Sequence, residues 1–230
     1  MRMKTKLKTN EQPSEQKYER YDQHKLAQWF LLILFACLSP FSFAEDNEQN
    51  LADKGWDEYT LGNLINGMAL LEQAAEQGDA AGQARLGYIF DKAGKTDQAF
   101  ELFEKSAKQN NAEGQFGLSK MYSSGRGVEK DLTRAGDLMR QSAEQGYLLA
   151  MRVYGLALET GGLNLTPNPS LAFDWIQRAA EKGDGTAMRK LREVYLRGEL
   201  GQEVNLERAK YWLDQLNTPI VKSEATKATQ

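Results

Sequence analysis

The side chains that could do acid–base or metal chemistry in this sequence are nearly all carboxylates. Glu101 with Glu104, Glu113, Glu129 with Asp131, and Glu181 with Asp184 stand close enough to imitate paired acids. General acid–base catalysis needs two such groups on one bond, with environments that separate their proton affinities. Short spacings like these are equally those of solvated helix faces and helix caps, and that reading fits them better. Ser14 and Lys17 have the S-x-x-K spacing of a serine–lysine nucleophile, but they sit in a leader segment set apart below. Gly125-Arg126-Gly127 has the look of a phosphate loop without the Lys-Ser/Thr that should follow, so turn chemistry accounts for it.

Histidine and cysteine chemistry is confined to the amino-terminal end. The only histidine is His24 and the only cysteine Cys37. Met1 to Lys25 is polar, with seven Lys/Arg against four Asp/Glu, and the stretch LAQWFLLILFACLSPFSFA follows from Leu26 to Ala44. Its fully apolar part, Trp29 to Leu38, is ten residues, whereas a membrane-spanning helix needs about 20. Pro40 breaks it, and Ser42 and Ala44 put small residues at −3 and −1 of a cleavage point before Glu45. This is the pattern of a secretory signal peptide. An uncleaved anchor is the main alternative, and basic residues before the apolar run would export the body in either case. A lipoprotein site at Cys37 is a third reading, which Phe35 fits poorly. The expectation is a periplasmic body that meets the membrane only through an uncleaved leader.

The body beyond Ala44 then holds no histidine and no cysteine. It can form no disulfide, offers zinc no Cys or His ligand, and has no thiol nucleophile or imidazole base. No metal and no cofactor are expected. The whole chain has 230 residues, 41% hydrophobic and 27% charged, with a formal charge of −3. That is a soluble composition for one or two domains, without the basic stripe of a nucleic-acid surface.

What positions these residues is a repeat. AAEQGD at Ala74–Asp79 returns as SAKQNN at Ser106–Asn111, SAEQGY at Ser142–Tyr147 and AAEKGD at Ala179–Asp184. Each block ends an apolar-periodic segment. In one, Ala135, Leu138, Met139, Ser142 and Ala143 share a face; in another, Ala172, Trp175, Ile176 and Ala179 do. This is the stripe of an amphipathic helix. Gly78, Asn110, Gly146 and Gly183 suit a left-handed helix stop, and Asp79 and Asp184 suit the next helix's cap. A further helix follows each block. These helices align on Leu86, Leu118, Tyr154 and Leu191, and Gly82, Gly114, Ala150 and Ala187, four residues earlier, permit close approach of a neighbour. The unit is a helical hairpin with a period of about 36 residues, which buries its apolar face only by stacking on its neighbours. Trp175 and Trp212 are expected in the core between hairpins and Trp56 in the amino-terminal cap.

These residues resemble the Sel-1-like repeats, the longer-looped relatives of tetratricopeptide repeats. Ala112 to Gly146 carries the resemblance most fully: an alanine, L-x-x-x-Y from Leu118 to Tyr122, G-x-G-V from Gly125 to Val128, Asp131, and a second helix ending A-x-x-G at Ala143–Gly146. The copies from Leu148 and Gly185 have lost the G-x-G-V order, and the copy from Ala80 looks more like a plain tetratricopeptide unit. The resemblance implies an all-α fold, a right-handed α-solenoid of antiparallel helical hairpins. Expected limits are a leader over 1–44, a repeat domain over 45–216 and a disordered tail over 217–230. Within the domain, hairpins fall at about 51–78, 79–110, 111–146 and 147–183, with capping structure over 184–216. Some relatives have been linked to β-lactam binding; those pair cysteines within each repeat, which this body cannot do.

The resemblance also implies a function: a non-enzymatic adaptor that binds a protein or peptide partner. In such folds the first helix of each hairpin lines the concave face. Residues two before and two after the aligned position share a stripe there. That stripe gives Tyr88, Phe116 and Leu156 as apolar contacts and Lys120, Arg152 and Arg189 as readers of carboxylates or a peptide terminus. An ordinary mixed surface is the competing reading of the same residues. Two other classes stay open: an accessory part of an envelope machine such as a flagellar motor or secretion system, and a glycan-acting enzyme. The enzyme would need two carboxylates converging in one pocket.

Overall fold

The computed structural model describes residues 50–218. The expected leader, and the tail beyond Thr218, lie outside the described residues. Ten α-helices follow one another with no strand among the described residues: α1 (Leu51–Thr60), α2 (Leu64–Glu76), α3 (Ala80–Lys92), α4 (Thr96–Lys108), α5 (Ala112–Ser124), α6 (Leu132–Glu144), α7 (Leu148–Thr160), α8 (Pro169–Glu181), α9 (Gly185–Arg197) and α10 (Leu206–Asn217). No described helix is long and apolar enough to cross a membrane. Asn217, assigned to the tail from sequence, closes α10. The segment expected to cap the carboxyl end is itself a full hairpin, α9 and α10.

The repeated block does at the backbone what its residue types require. Gly78 has φ 84° and Gly183 φ 94°, and Asn110 takes the same left-handed region at φ 59°. Asp79 Oδ1 then accepts the Gly82 N–H at 2.6 Å, Asn111 Oδ1 the Gly114 N–H at 2.9 Å, and Asp184 Oδ1 the Ala187 N–H at 2.8 Å. Each satisfies an amide that the first helical turn leaves without a partner. The third copy differs: Tyr147 stands at the cap and makes no capping hydrogen bond.

Pairs of consecutive helices pack tightly as hairpins, and each second helix packs on the first helix of the next hairpin. The result is an α-solenoid. The first helix α3 also touches both α1 and α5 directly, and among the described residues no pair of second helices is in comparable contact. The stack is therefore closer on its first-helix side over these three hairpins. The core runs as a chain of clusters rather than one centre. Leu71, Leu86 and Ile89 form the amino-terminal one, and Phe103, Leu118, Met121 and Tyr122 the next. The largest spans Met139 to Trp212 and includes Trp175, Ile176 and Leu191. Each fully buried Leu or Ile contributes about 1.5–3 kcal/mol by leaving water.

Small residues set the helix spacing, as the alignment predicts. A Cβ on Gly82 would lie 2.6 Å from that of Ala74, and one on Gly114 would lie 2.5 Å from that of Ser106. Ser106 and Ser142 then tie second helix to first, donating to the Ala80 and Ala112 carbonyls at 2.6 Å. At the crossing of α1 and α2, a Cβ on Gly67 would meet Tyr59 N at 2.5 Å and its Cα at 2.8 Å. Backbone meets backbone there, so neither can turn aside. Gly67→Ala should lower stability by about 1–3 kcal/mol through overpacking, despite alanine's helix-propensity advantage of about 1 kcal/mol. A denaturation midpoint equal to or above that of the parent chain would contradict this.

Candidate functional site

The close approach of α1, α3 and α5, with the start of α7, leaves a partly open hollow between them, of about 200 Å³. Two pairs of rings border it. Trp56 and Tyr88 meet edge to face with centroids 5.8 Å apart; Phe116 and Tyr147 are tilted at 5.3 Å. Ala84 and Gly117 keep the space between the pairs free, and Phe103, rising from α4, forms the floor. Phe103 reaches that far because Gly117 has no Cβ: one placed there would overlap its ring.

The charges around the hollow are mostly spent on one another. Arg85 puts Nη1 2.7 Å from Asp53 of α1 and Nε 3.4 Å from Glu113 of α5, and its guanidinium lies 6.0 Å from the Trp56 ring. Burial works against the Arg85 charge, but the hydrogen bond to Asp53 and the fields of Glu113 and Asp53 outweigh it and raise its pKa. Asp91, buried at the inner edge, faces Arg126 of the Gly125–Gly127 turn. Arg126 Nη2 is 2.8 Å from Asp91 Oδ1 and donates to the Asp91 carbonyl at 3.1 Å. The Oδ1 atom has the ion pair without an aligned hydrogen bond. Burial, with the Glu113 charge adding, pushes the Tyr147 phenol up to about 12, so it stays protonated at neutral pH.

Lys120 is the exception. It is exposed, its Nζ lies 5.8 Å from the Phe116 ring, and no carboxylate among the described residues comes within ion-pair distance.

The structure divides the six residues expected from the stripe. Tyr88, Phe116 and Lys120 come together at this hollow. Arg152, Leu156 and Arg189 do not line it. Arg152 Nε is 2.9 Å from Asp184 Oδ2, so the charge expected to read a partner is held by the cap of α9. Leu156 packs against the large carboxyl-terminal core. Arg189 is exposed and donates to Thr186 Oγ1 at 2.9 Å. Arg152→Ala should therefore act on folding first. It leaves the Asp184 carboxylate, only 8% exposed, short of its partner, at a cost of about 1–3 kcal/mol. Unchanged thermal stability of Arg152→Ala would refute that role.

Sequence reasoning missed Arg85 and Tyr147; Trp56, expected in the amino-terminal cap, packs on the amino-terminal cluster and also lines the hollow. Tyr147 carried a signal: it stands where the first and fourth copies have the capping aspartates Asp79 and Asp184. A residue that gives up a cap has another use, and here it is the pocket wall. Arg85 gave none, because its partners come from helices 32 and 28 residues away. Among the described residues no cluster of His, Cys, Asp or Glu is arranged to hold a metal.

Comparison with known proteins gives a consistent picture. A family model described as Sel1 repeat matches residues 53–79, 80–111, 112–147, 148–184 and 186–216. An uncharacterized protein of Neisseria meningitidis serogroup B is 34% identical over 103 residues, covering 45% of this chain and 21% of its own length. A Sel1 repeat protein from Oxalobacter formigenes superposes with a TM-score of 0.59 at 25% identity, over 66% of this chain and 45% of that one. A protective antigen present in uropathogenic Escherichia coli strains, displaying an SLR fold, gives 0.58 at 27% identity, over 85% and 42%. This chain thus spans less than half the length of each of these three.

Proposed function

The chain belongs to the Sel1-repeat family, whose repeats are protein-interaction scaffolds, and from that premise we propose that it is a non-enzymatic, exported adaptor holding a partner protein against its first helices. The observation that carries this reading is the ring-lined hollow at the junction of α1, α3, α5 and α7. It is built from four hairpins at once, so no single repeat provides it. Its surroundings favour binding over chemistry. The carboxylates Asp91 and Glu113 both line it, but each is committed to an arginine, Arg126 and Arg85. Neither stands in the hollow without a counter-charge. Export to the periplasm rests on the leader pattern of Leu26 to Ala44.

The direct test is a photo-crosslinking residue in place of Lys92, whose Nζ sits 5.5 Å from the Tyr88 ring. A second is placed at Glu101, exposed on the second helix α4, as a control. The first should trap a defined partner in the cell envelope and the second should not. Equal trapping at both, or none at position 92, would reject a first-helix binding face. Recovery of a motor or secretion component would place the protein in such a machine. Recovery of the chain from the cytoplasmic fraction, with Met1 to Ala44 intact, would reject export.

A further inference from the structure

We propose that the hollow between the Trp56–Tyr88 and Phe116–Tyr147 ring pairs is an anchor pocket for one large apolar side chain of a partner segment, and that Lys120 at its mouth reads an acidic side chain beside that anchor. The proposal rests on the scaffold reading above and names the chemistry of the segment it would hold.

Size sets the first requirement. The hollow is about 200 Å³. An apolar cavity of about 150 Å³ accepts a benzene molecule, so the space suits one aromatic ring or branched aliphatic group and not a folded element. Its walls are rings from α1, α3, α5 and the cap of α7, with a ring from α4 as floor. Phe116 also packs on the carboxyl-terminal core, which fixes its side of the slot. A side chain entering between the two ring pairs exchanges water for aromatic faces and edges on both sides, the arrangement in which rings gain most beyond area burial.

Charge sets the second. An aromatic-lined pocket could instead select a cation, since ring faces attract one. Here the rings already have cations: Arg85 beside Trp56, Lys92 over Tyr88 at 5.5 Å, and Lys120 over Phe116 at 5.8 Å. The carboxylates that would help hold an incoming ammonium, Asp91 and Glu113, are neutralised by arginines. Lys120 is the lining charge with no acidic partner among the described residues, Lys92 over the Tyr88 ring is likewise in no ion pair there, and Lys120 sits one helical turn from Phe116 on α5. A segment with an acidic residue next to its apolar anchor meets that charge; one with a basic residue is repelled by it.

The test uses the full chain and four fluorescently labelled peptides, acetylated and amidated so that no terminal charge contributes. One carries phenylalanine between two glutamates, one between two glutamines, one between two lysines, and one has alanine between two glutamates. Fluorescence anisotropy should show the Glu-Phe-Glu peptide binding at least about tenfold more tightly than each of the others. The advantage over the glutamine peptide should shrink as salt rises. Lys120→Glu, a surface change that should leave the circular dichroism and melting profile intact, should reverse the order of the glutamate and lysine peptides. Phe116→Ala should weaken the Glu-Phe-Glu peptide toward the level of the alanine peptide. Equal binding of all four, a preference for the lysine peptide, indifference to Lys120→Glu in a folded variant, or no binding at all would overturn the proposal. The two readings fail differently. If the scaffold reading is wrong, position 92 traps nothing. If only the anchor is wrong, position 92 still traps a partner, and Lys120→Glu leaves that trapping unchanged.

Discussion

Replacing Phe103 with alanine should cost about 3–5 kcal/mol of stability, the range for emptying a buried aromatic site, and should remove the floor of the pocket in the same stroke. Phe103 is 5% exposed and sits in the second core cluster with Leu118, Met121 and Tyr122. It belongs to α4, yet its ring lies under two glycines of other helices. A Cβ on Gly87 of α3 would come within 3.2 Å of the ring, and one on Gly117 of α5 would overlap it. The ring therefore fills the seam between two first helices, and neither helix can settle into the gap without moving the other. Urea denaturation should show the loss as a lower midpoint at nearly unchanged slope. Phe103→Leu should restore part of it. A loss under about 1 kcal/mol would mean that the seam collapses around the missing ring. Trapping at position 92 would then report whether the pocket survived.

Replacing Ile176 with alanine should cost a similar amount, about 2–5 kcal/mol, but in a different place. Ile176 is 0% exposed in the carboxyl-terminal cluster, and its Cγ1 lies where a Cβ on Gly155 would approach to 2.9 Å. A solenoid adds its stability from repeat to repeat, each hairpin touching only its neighbours. The loss should fall on α7 to α10, seen as faster amide exchange there, while α1 to α4 exchange nearly as in the parent chain. Peptide binding at the pocket should suffer less than in Phe103→Ala. Uniform acceleration of exchange across all ten helices would show that the five hairpins unfold as one cooperative unit, and this local picture would be wrong.

The architecture was written in the sequence to an unusual degree because every unit repeats the same local instructions. The stop at Gly78, Asn110, Gly146 and Gly183, the caps at Asp79 and Asp184, and the small residues at Gly82 and Gly114 all act over one or two helical turns. Rules of that range can be read from spacing alone. Trp175 and Trp212 followed the same logic and lie in the core at 8% and 7% exposure. The site was legible only in part. Tyr88, Phe116 and Lys120 sit at stripe positions of α3 and α5, and the structure brings them to one hollow. Arg152 and Arg189 share the stripe as well, and periodicity could not tell that Asp184 would claim Arg152 across a turn between hairpins.

By itself, the sequence determined the all-α solenoid: where each helix starts and stops, which face it buries and how closely its neighbour approaches, since each depends on residues within a turn or two. Only the tertiary structure decided which charges remain free and where a hollow opens. Arg85 is neutralised from two other hairpins, Asp91 by a loop of the next hairpin, and the pocket by the meeting of four first helices. Those outcomes depend on distances between side chains far apart in the chain. Two repeats with the same pattern can differ in them completely, because the pattern fixes how each hairpin stacks and leaves the side chains that meet across the stack unspecified.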